Sequence, residues 1–149
     1  MKVIILSVFH VLKIVRKLHP NTVIIIDDYD KYYIYDKDCY IIYKIFNFDI
    51  HGKKNIFITN RIKYLPYLLN KLNEEKIDYK VLCKRHGYEI VDEGCFSDNR
   101  YSSFLKNGKF CYKRKQKINQ IYHQLNYLLK NNPEKVIDLV SQIERIINV

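Results

Sequence analysis

This sequence lacks tryptophan, has only four glycines and three prolines, and contains no long uninterrupted run of apolar residues. The scarcity of glycine and proline excludes a collagen-like or linker protein, and a membrane-spanning helix would need about 18 consecutive apolar residues. The apolar residues 1–9 are followed at once by His10 and Lys13 without a small-residue cleavage site, so they do not predict a signal peptide. We therefore expect a cytoplasmic protein with no membrane partner.

Cysteine is also scarce and dispersed. The four residues are Cys39, Cys83, Cys95 and Cys111. They contain no Cys-x-x-Cys pair, and most have apolar or aromatic neighbours, so we expect buried, reduced thiols rather than a disulfide or zinc site. The five histidines show no pairing at ligand spacing, and the chain has no glycine-rich phosphate loop and no nucleophile elbow. The sequence thus predicts no metal, no cofactor and no catalytic residue.

What is present is a chain of 149 residues, 48% of them apolar, which suits one domain with an ordinary core. Apolar spacing predicts a helix from Ile4 to Leu18 and another over residues 64–72, which Asn60 can cap. Pro66 interrupts the second helix, which either begins near this proline or kinks there. Residues 39–48 fit a strand by propensity and a helix by spacing, and both stay open. Apolar runs predict strands at residues 22–26, 32–35, 56–58, 78–83 and 88–91, the first of them covered on both faces.

The C-terminal third combines a turn signal with two helical patterns. Asn107-Gly108 predicts a β-hairpin over residues 103–112, because both residues tolerate the positive φ angles of a type I′ turn. Apolar stripes at residues 118–129 and 136–147 predict two helices, the second with Asn132 as its cap and Pro133 at its first position. These helices suit either an antiparallel pair or a surface for another protein. We accordingly divide the chain into residues 1–98 and an extension, residues 99–149, packed on them as one compact unit.

The net charge of +10 is concentrated in one stretch, residues 99–133, which contains no acidic residue. Its eight basic residues are Arg100, Lys106, Lys109, Lys113, Arg114, Lys115, Lys117 and Lys130. In the predicted hairpin they alternate with aromatic residues: Tyr101, Phe104, Phe110 and Tyr112. Cations that displace counterions and rings that stack on bases are what a nucleic acid requires. The alternative is that the rings face the core and the lysines form an ordinary solvated face.

An acidic cluster at residues 27–38 indicates a different function. Its members are Asp27, Asp28, Asp30, Asp36 and Asp38. Carboxylates at the ends of adjacent strands can hold a divalent metal, and Asp27 or Asp28 with Asp78-Tyr79-Lys80 fits the short pattern of a metal-dependent nuclease. So short a pattern also recurs by chance, and aspartates in turns more often bond their own backbone. The nuclease therefore stands as an alternative.

Six stretches of the chain follow one another in the order and spacing of a known family. They are residues 18–26, 30–32, 35–39, 55–59, 64–72 and 77–83. Together they resemble the N-terminal mismatch-recognition domain, domain I, of the DNA mismatch-repair protein MutS, which begins with a helix, a His-Pro, an apolar strand and an acidic turn. The resemblance covers residues 8–92, and nothing after Gly94 matches that domain.

The resemblance implies an α/β fold, a mixed β-sheet flanked by helices, in which residues 38–47 form a helix. It places Lys31 and Tyr33 where the family has its wedging Phe and its Glu, with Tyr32 at the Tyr between them. Lysine cannot replace base stacking, so mismatch reading by the family's mechanism is not expected, and no ATPase domain accompanies the resemblance. It implies a stand-alone, divergent scaffold in which Lys31 contacts a phosphate and Tyr32 or Tyr33 stacks on a base.

We therefore predict a small, non-catalytic protein that binds nucleic acid, DNA rather than RNA, with low sequence specificity, as suits a mobile element or phage. The phosphate contacts are expected from Lys106, Lys109, Lys113, Arg114, Lys115 and Lys117. Six such contacts predict a slope of roughly −5 for log affinity against log salt. Two alternatives stay open: a protein-interaction or homodimerisation module that uses residues 117–147, and the metal-dependent nuclease.

Overall fold

The computed structural model describes residues 7–148, so the predicted helical residue Ile4 lies outside the described residues. The chain divides into two compact units, Met1–Phe110 and Cys111–Val149. The helices are α1 (Val8–Leu18), α2 (Asp38–Phe46), α3 (Leu65–Glu74), α4 (Tyr101–Asn131) and α5 (Pro133–Ile147). The strands are β1 (Val23–Asp28), β2 (Lys31–Tyr35), β3 (Phe57–Arg61), β4 (Tyr79–Cys83) and β5 (Glu89–Gly94). Across residues 7–148, no helix combines the length and the apolar character that crossing a membrane requires.

The first unit is built on a five-stranded sheet in the order β3-β2-β1-β4-β5. β1 runs parallel to β4, and the other neighbouring strands are antiparallel. Ile25 pairs with Ile34 of β2 on one side and with Val81 of β4 on the other, which fixes β1 at the centre. The predicted α/β fold with a mixed sheet flanked by helices is confirmed, and a strand lies at each of the five predicted positions.

β1 is buried on both faces because its β-branched side chains alternate between two helical layers. Val23 and Ile25 pack into the larger core, which α2, α3 and the beginning of α4 cover. Ile24 and Ile26 pack on the other side, against Leu12 of α1. Removing apolar surface from water is the main favourable contribution to folding, and this strand contributes on both of its faces. The prediction of a strand covered on both faces is confirmed.

Tertiary packing decides two points that the sequence left open. Residues 38–46 form α2 rather than a strand, and Ile42 of this helix is fully buried in the larger core. α3 begins one residue before Pro66, so the proline occupies the first turn, where a missing N–H costs nothing. Asn60 is not the cap of α3, because it lies in β3 and its side-chain oxygen accepts the next backbone N–H.

The predicted β-hairpin at residues 103–112 is wrong, because these residues lie inside the 31-residue helix α4. Gly108 serves a close approach rather than a turn. A Cβ atom at this position would lie 2.1 Å from the backbone oxygen of Tyr40, so glycine allows α4 to pass close to α2. Tyr101, Phe104 and Gly108 recur at helical spacing on the side of α4 that faces the first unit. The basic stretch is therefore helical, which rearranges its charges.

The second unit contains the remainder of α4 and all of α5. α5 begins with Asn132 at the N-cap position and Pro133 at the first position, as predicted, although the Asn132 side chain makes no capping hydrogen bond. Among the described residues of this unit, 111–148, Val136 is the only one that is buried. Most apolar side chains of the two predicted helical stripes are therefore exposed to solvent.

Candidate nucleic-acid interface

Four lysines form an open basic strip along α4, which we call the lysine face. They are Lys106, Lys109, Lys113 and Lys117. Spacings of three, four and four residues keep them on one side of a helix that has 3.6 residues per turn. All four are exposed, and none forms an ion pair within residues 7–148. Since the stretch from Asn99 to Pro133 has no carboxylate, no acidic side chain of the same helix offsets this charge.

The other basic residues predicted to bind nucleic acid are arranged differently. Arg100 forms an ion pair with Glu75 at 3.1 Å, and its guanidinium lies 4.9 Å from the ring centroid of Phe104. Arg114 and Lys115 follow Lys113 by one and two residues, so the helix turns them away from the lysine face. Each of the two already has an interaction partner in the protein. The structure therefore groups four of the predicted cations and separates these three from them.

The aromatic residues of α4 do not form the stacking surface that the hairpin predicted. Tyr101 is buried, and Phe104 packs against the larger core. Tyr112 is half-buried, whereas 61% of Phe110 is exposed, and both already have an interaction partner. Of the four rings that were predicted to stack, the helix thus turns Tyr101 and Phe104 toward the core of the first unit. Positive charge, rather than aromatic surface, is what the lysine face offers to a ligand.

A buried polar cluster fixes the first turn of α4 to the first unit. We call it the Asp38 cluster; it consists of Asp38, Arg16 and Tyr101. The Tyr101 hydroxyl donates to the Asp38 carboxylate at 2.5 Å, and Arg16 donates to the same carboxylate at 3.2 Å. The backbone N–H of Ile24 also donates to it, at 3.0 Å. The cluster therefore ties the start of α4 to α1 and to the central strand.

The pKa values of the Asp38 cluster follow from its burial. Desolvation raises the pKa of Asp38, because a buried carboxylate loses its hydration, and the Arg16 guanidinium and the Tyr101 hydroxyl act in the opposite direction. Desolvation and the neighbouring Asp38 raise the pKa of Tyr101, so that hydroxyl keeps its proton and remains a donor. The cluster is a structural anchor for the first turn of α4, although the Arg16 Nε is buried without a hydrogen-bond partner among the described residues.

A second basic surface, the strand face, lies on the α1 side of β2 and β3. Its residues are Lys31, Tyr33, Tyr35, Phe57, Thr59 and Arg61. Lys31 and Arg61 are cross-strand neighbours, and both are exposed. Tyr33 stacks on Tyr35, with ring centroids 5.9 Å apart and planes inclined by 12°. Paired cations beside flat rings are the combination that contact with phosphates and bases requires.

Tyr32 is not part of the strand face, and the prediction that its ring is open to stacking is wrong. Successive side chains of a strand point to opposite faces, so Tyr32 enters the larger core, where it is fully buried. Lys31 and Tyr33 do share a face, as a separation of two residues requires. They project from the α1 side of the sheet, whereas α4 packs on the other side. The structure therefore divides the predicted residues between two surfaces.

Three of the five aspartates that suggested a nuclease have basic partners, whereas one carboxylate oxygen of Asp27 is buried without a hydrogen-bond partner among the described residues. Asp36 forms an ion pair with Arg16 at 2.8 Å, and Asp28 forms one with Lys84 at 3.2 Å. Asp38 belongs to the Asp38 cluster. Within residues 7–148, no group of histidine, cysteine, aspartate and glutamate side chains is arranged to hold a metal ion. These three aspartates therefore hold the first unit together rather than gathering at one open site.

The four cysteines are free thiols. Cys39 and Cys83 are buried as predicted, and burial raises the pKa of Cys39 to about 12. Cys111 is half-buried. The prediction of burial is wrong for Cys95, which is exposed because it directly follows β5 at the edge of the sheet.

Arg61 is the cation of the strand face that the sequence did not reveal. Its place opposite Lys31 depends on the register between β2 and β3, which an apolar pattern alone does not specify.

No known family model matches this chain, and a comparison with curated proteins finds no match either. The case for a function therefore depends on the geometry of these two surfaces.

Proposed function

We propose that this chain is a small, non-catalytic, cytoplasmic protein that binds DNA mainly through phosphate contacts and with little sequence specificity. The lysine face is the observation that carries the proposal. From Lys106 to Lys117 the helix rises by about 16 Å, roughly half a turn of duplex DNA. Four exposed ammonium groups over that length can each displace counterions condensed on the phosphates. Because phosphates carry no base identity, contacts to them position the protein without reading the sequence.

The strand face supports the same proposal with a smaller set of groups. Lys31 and Arg61 provide two further cations, and Tyr33 provides a half-buried ring beside them. Kinship with domain I of MutS belongs to this proposal as well. Lys31 and Tyr33 are the residues through which we expect such a scaffold to touch DNA.

The test removes the charge of the lysine face and compares it with an equal loss of charge elsewhere. One variant changes Lys106, Lys109, Lys113 and Lys117 to glutamine. The control changes Lys13, Lys17, Lys53 and Lys54, which are also exposed. By fluorescence anisotropy with a short duplex, we expect affinity to fall about tenfold or more in the first variant and much less in the control. Equal losses in both variants would reduce the interaction to net charge alone and refute the lysine face as the binding surface.

A protein-interaction or dimerisation module is the second candidate, and the second unit provides the observation that favours it. Val140, Ile143 and Ile147 follow one side of α5 and are 44%, 48% and 74% exposed. Folded monomers rarely leave a large contiguous apolar patch open to water, because covering it is favourable. A second copy of the chain or another protein would cover this side of α5.

Sedimentation of the full chain over a range of concentrations separates the two candidates. The module predicts self-association that Ile143→Gln together with Ile147→Gln abolishes. DNA binding through the lysine face predicts that this double variant keeps its affinity for a duplex. A wild-type chain that stays monomeric at every concentration would contradict homodimerisation.

A further inference from the structure

A small cavity with aromatic walls lies beside α2 and α3 in the first unit, and we call it the aromatic pocket. Its volume is about 220 Å³, and its main lining residues are Tyr32, Phe46, Phe48, Asn60, Tyr64 and Tyr67. Phe46 and Phe48 stack with their ring centroids 4.9 Å apart. An apolar cavity of roughly 150 Å³ already accommodates benzene. The aromatic pocket therefore has room for one flat ring system.

The inner end of the aromatic pocket carries polar groups that lack partners. Tyr32 is fully buried, and its hydroxyl forms no hydrogen bond with any described residue. Burial raises the pKa of this hydroxyl, and the neighbouring Asn60 side chain acts in the opposite direction. The Asn60 oxygen accepts the backbone N–H of Arg61 at 2.9 Å, which leaves its amide nitrogen to donate elsewhere. A buried hydroxyl without a partner costs free energy, so a ligand that bonds to it would recover that cost.

The outer end of the aromatic pocket combines exposed rings with positive charge. Tyr64 and Tyr67 are 46% and 63% exposed. The ammonium group of Lys63 lies 5.0 Å from the ring centroid of Tyr64. Lys63 is exposed and forms no ion pair within the described residues. A ligand with a flat ring and an attached anion would use both features.

We propose that the aromatic pocket takes one unstacked nucleobase, with Tyr67 and its neighbouring rings against the faces of the base and the Tyr32 hydroxyl bonded to its edge. A nucleotide joins a flat, polar-edged ring to a phosphate, which matches rings and a hydroxyl inside and the Lys63 cation at the rim. This inference rests on the proposed DNA binding and names the part of the ligand that enters the protein. It adds a preference for strands with unpaired bases.

The test compares two single strands that differ only in their bases. One is a short oligothymidylate, and the other is an abasic strand of the same length with the same number of phosphates. We expect the wild-type protein to bind the base-bearing strand about tenfold more tightly. Tyr67→Ala should remove that preference and leave affinity for the abasic strand unchanged, and Tyr32→Phe should reduce the preference in part. Tyr127→Ala, at a tyrosine that is 68% exposed outside the pocket, is the matched control and should change nothing.

The outcomes separate this inference from the proposed function. Substituting the lysine face should weaken both strands equally and keep their ratio. Equal affinity for the two strands, or a preference that survives Tyr67→Ala, would overturn the aromatic pocket while DNA binding stands. If neither strand binds, duplex binding still decides the proposed function, and NMR titration with thymidine, against deoxyribose as its control, decides the pocket. Thymidine-specific shifts that vanish in Tyr67→Ala would support it, and their absence would refute it.

Discussion

The two units of this chain differ in how far they bury their apolar side chains. In the first unit, the sheet receives helices on both faces, and residues such as Ile24 and Ile42 are fully buried. In the described part of the second unit, Val136 is the only buried residue, and Ile146 is 77% exposed. The first unit thus has a hydrophobic core of its own. In the described part of the second unit, most apolar side chains remain exposed to solvent.

The difference follows from the secondary structure that each region forms. A central strand places alternate residues on two faces, so one β-branched run can serve two cores. An amphipathic helix buries only the apolar stripe on one of its sides. Two helices alone therefore leave much of their apolar surface uncovered unless further elements pack on them. We therefore expect the first unit to determine the stability of the chain and the exposed apolar side of α5 to determine whether the chain associates with another protein.

The largest effect should come from the Asp38 cluster. Asp38→Ala removes the carboxylate from Arg16 and Tyr101 and leaves both polar groups buried without that partner. We expect a loss of about 3–5 kcal/mol in the free energy of unfolding by urea. Asp36→Asn is the control: it removes the charge of Asp36, which pairs with Arg16 and is itself 43% exposed, and asparagine tolerates the positive φ of 55° at this position. The control should lose less than about 1 kcal/mol, and equal losses would refute the cluster as the anchor.

The same substitution in the two units tests their difference directly. Ile42→Ala opens a cavity in the larger core and should cost about 2–5 kcal/mol. Ile146→Ala removes a side chain that is 77% exposed and should change the free energy of unfolding by about 0.5 kcal/mol or less. Thermal and urea unfolding of both variants at low concentration gives the comparison. A large loss from Ile146→Ala would mean that α5 is covered in solution.

Gly108→Ala should have an intermediate effect, because its Cβ would lie 2.1 Å from the backbone oxygen of Tyr40 and would force α4 away from α2. We expect a loss of about 1–3 kcal/mol, the usual cost of overpacking. Asn107→Ala changes the exposed residue beside it and should be neutral or slightly stabilising, since alanine favours helix. Had these two residues formed a hairpin turn, Asn107→Ala would also be destabilising.

The smallest effect concerns thiol reactivity and leaves stability unchanged. At pH 8, a thiol reagent should modify the exposed Cys95 quickly and Cys39 several orders of magnitude more slowly, because burial raises the pKa of Cys39 to about 12 and excludes the reagent. Mass spectrometry of the modified peptides over time gives the two rates. Rapid modification of Cys39 in the native protein would show that the larger core opens readily.

The sequence predicted those elements whose evidence is local. The β-branched run of β1 and the proline at the start of α5 identified a strand and a helix, because propensity and backbone geometry act on neighbouring residues. Residues 38–46 stayed open because their spacing suits both states, and packing in the larger core decides for α2. Where propensity favours a strand and apolar spacing favours a helix, tertiary contacts determine which of the two forms.

The error at Asn107-Gly108 has the same origin. Asn107-Gly108 is a turn signal of only two residues, whereas the helical spacing of Tyr101, Phe104 and Gly108 extends over eight residues and is the pattern that the structure follows. The hydroxyl of Tyr101 bonds to Asp38 from 63 residues away, which no local pattern indicates. The cations of the lysine face were identified by composition, yet their alignment became visible only once the stretch was known to be a helix. Arg61 and the aromatic pocket depend on strand register and on packing, so neither could be predicted.

The most direct test of the central claim is the salt dependence of duplex binding. Four phosphate contacts by the lysine face predict a slope of about −3.6 for log affinity against log salt concentration. Replacing the four lysines with glutamine should make the slope shallower by about 3.6, while the control at Lys13, Lys17, Lys53 and Lys54 should keep it. A wild-type slope shallower than about −1, or one that the lysine-face variant leaves unchanged, would contradict DNA binding through this helix.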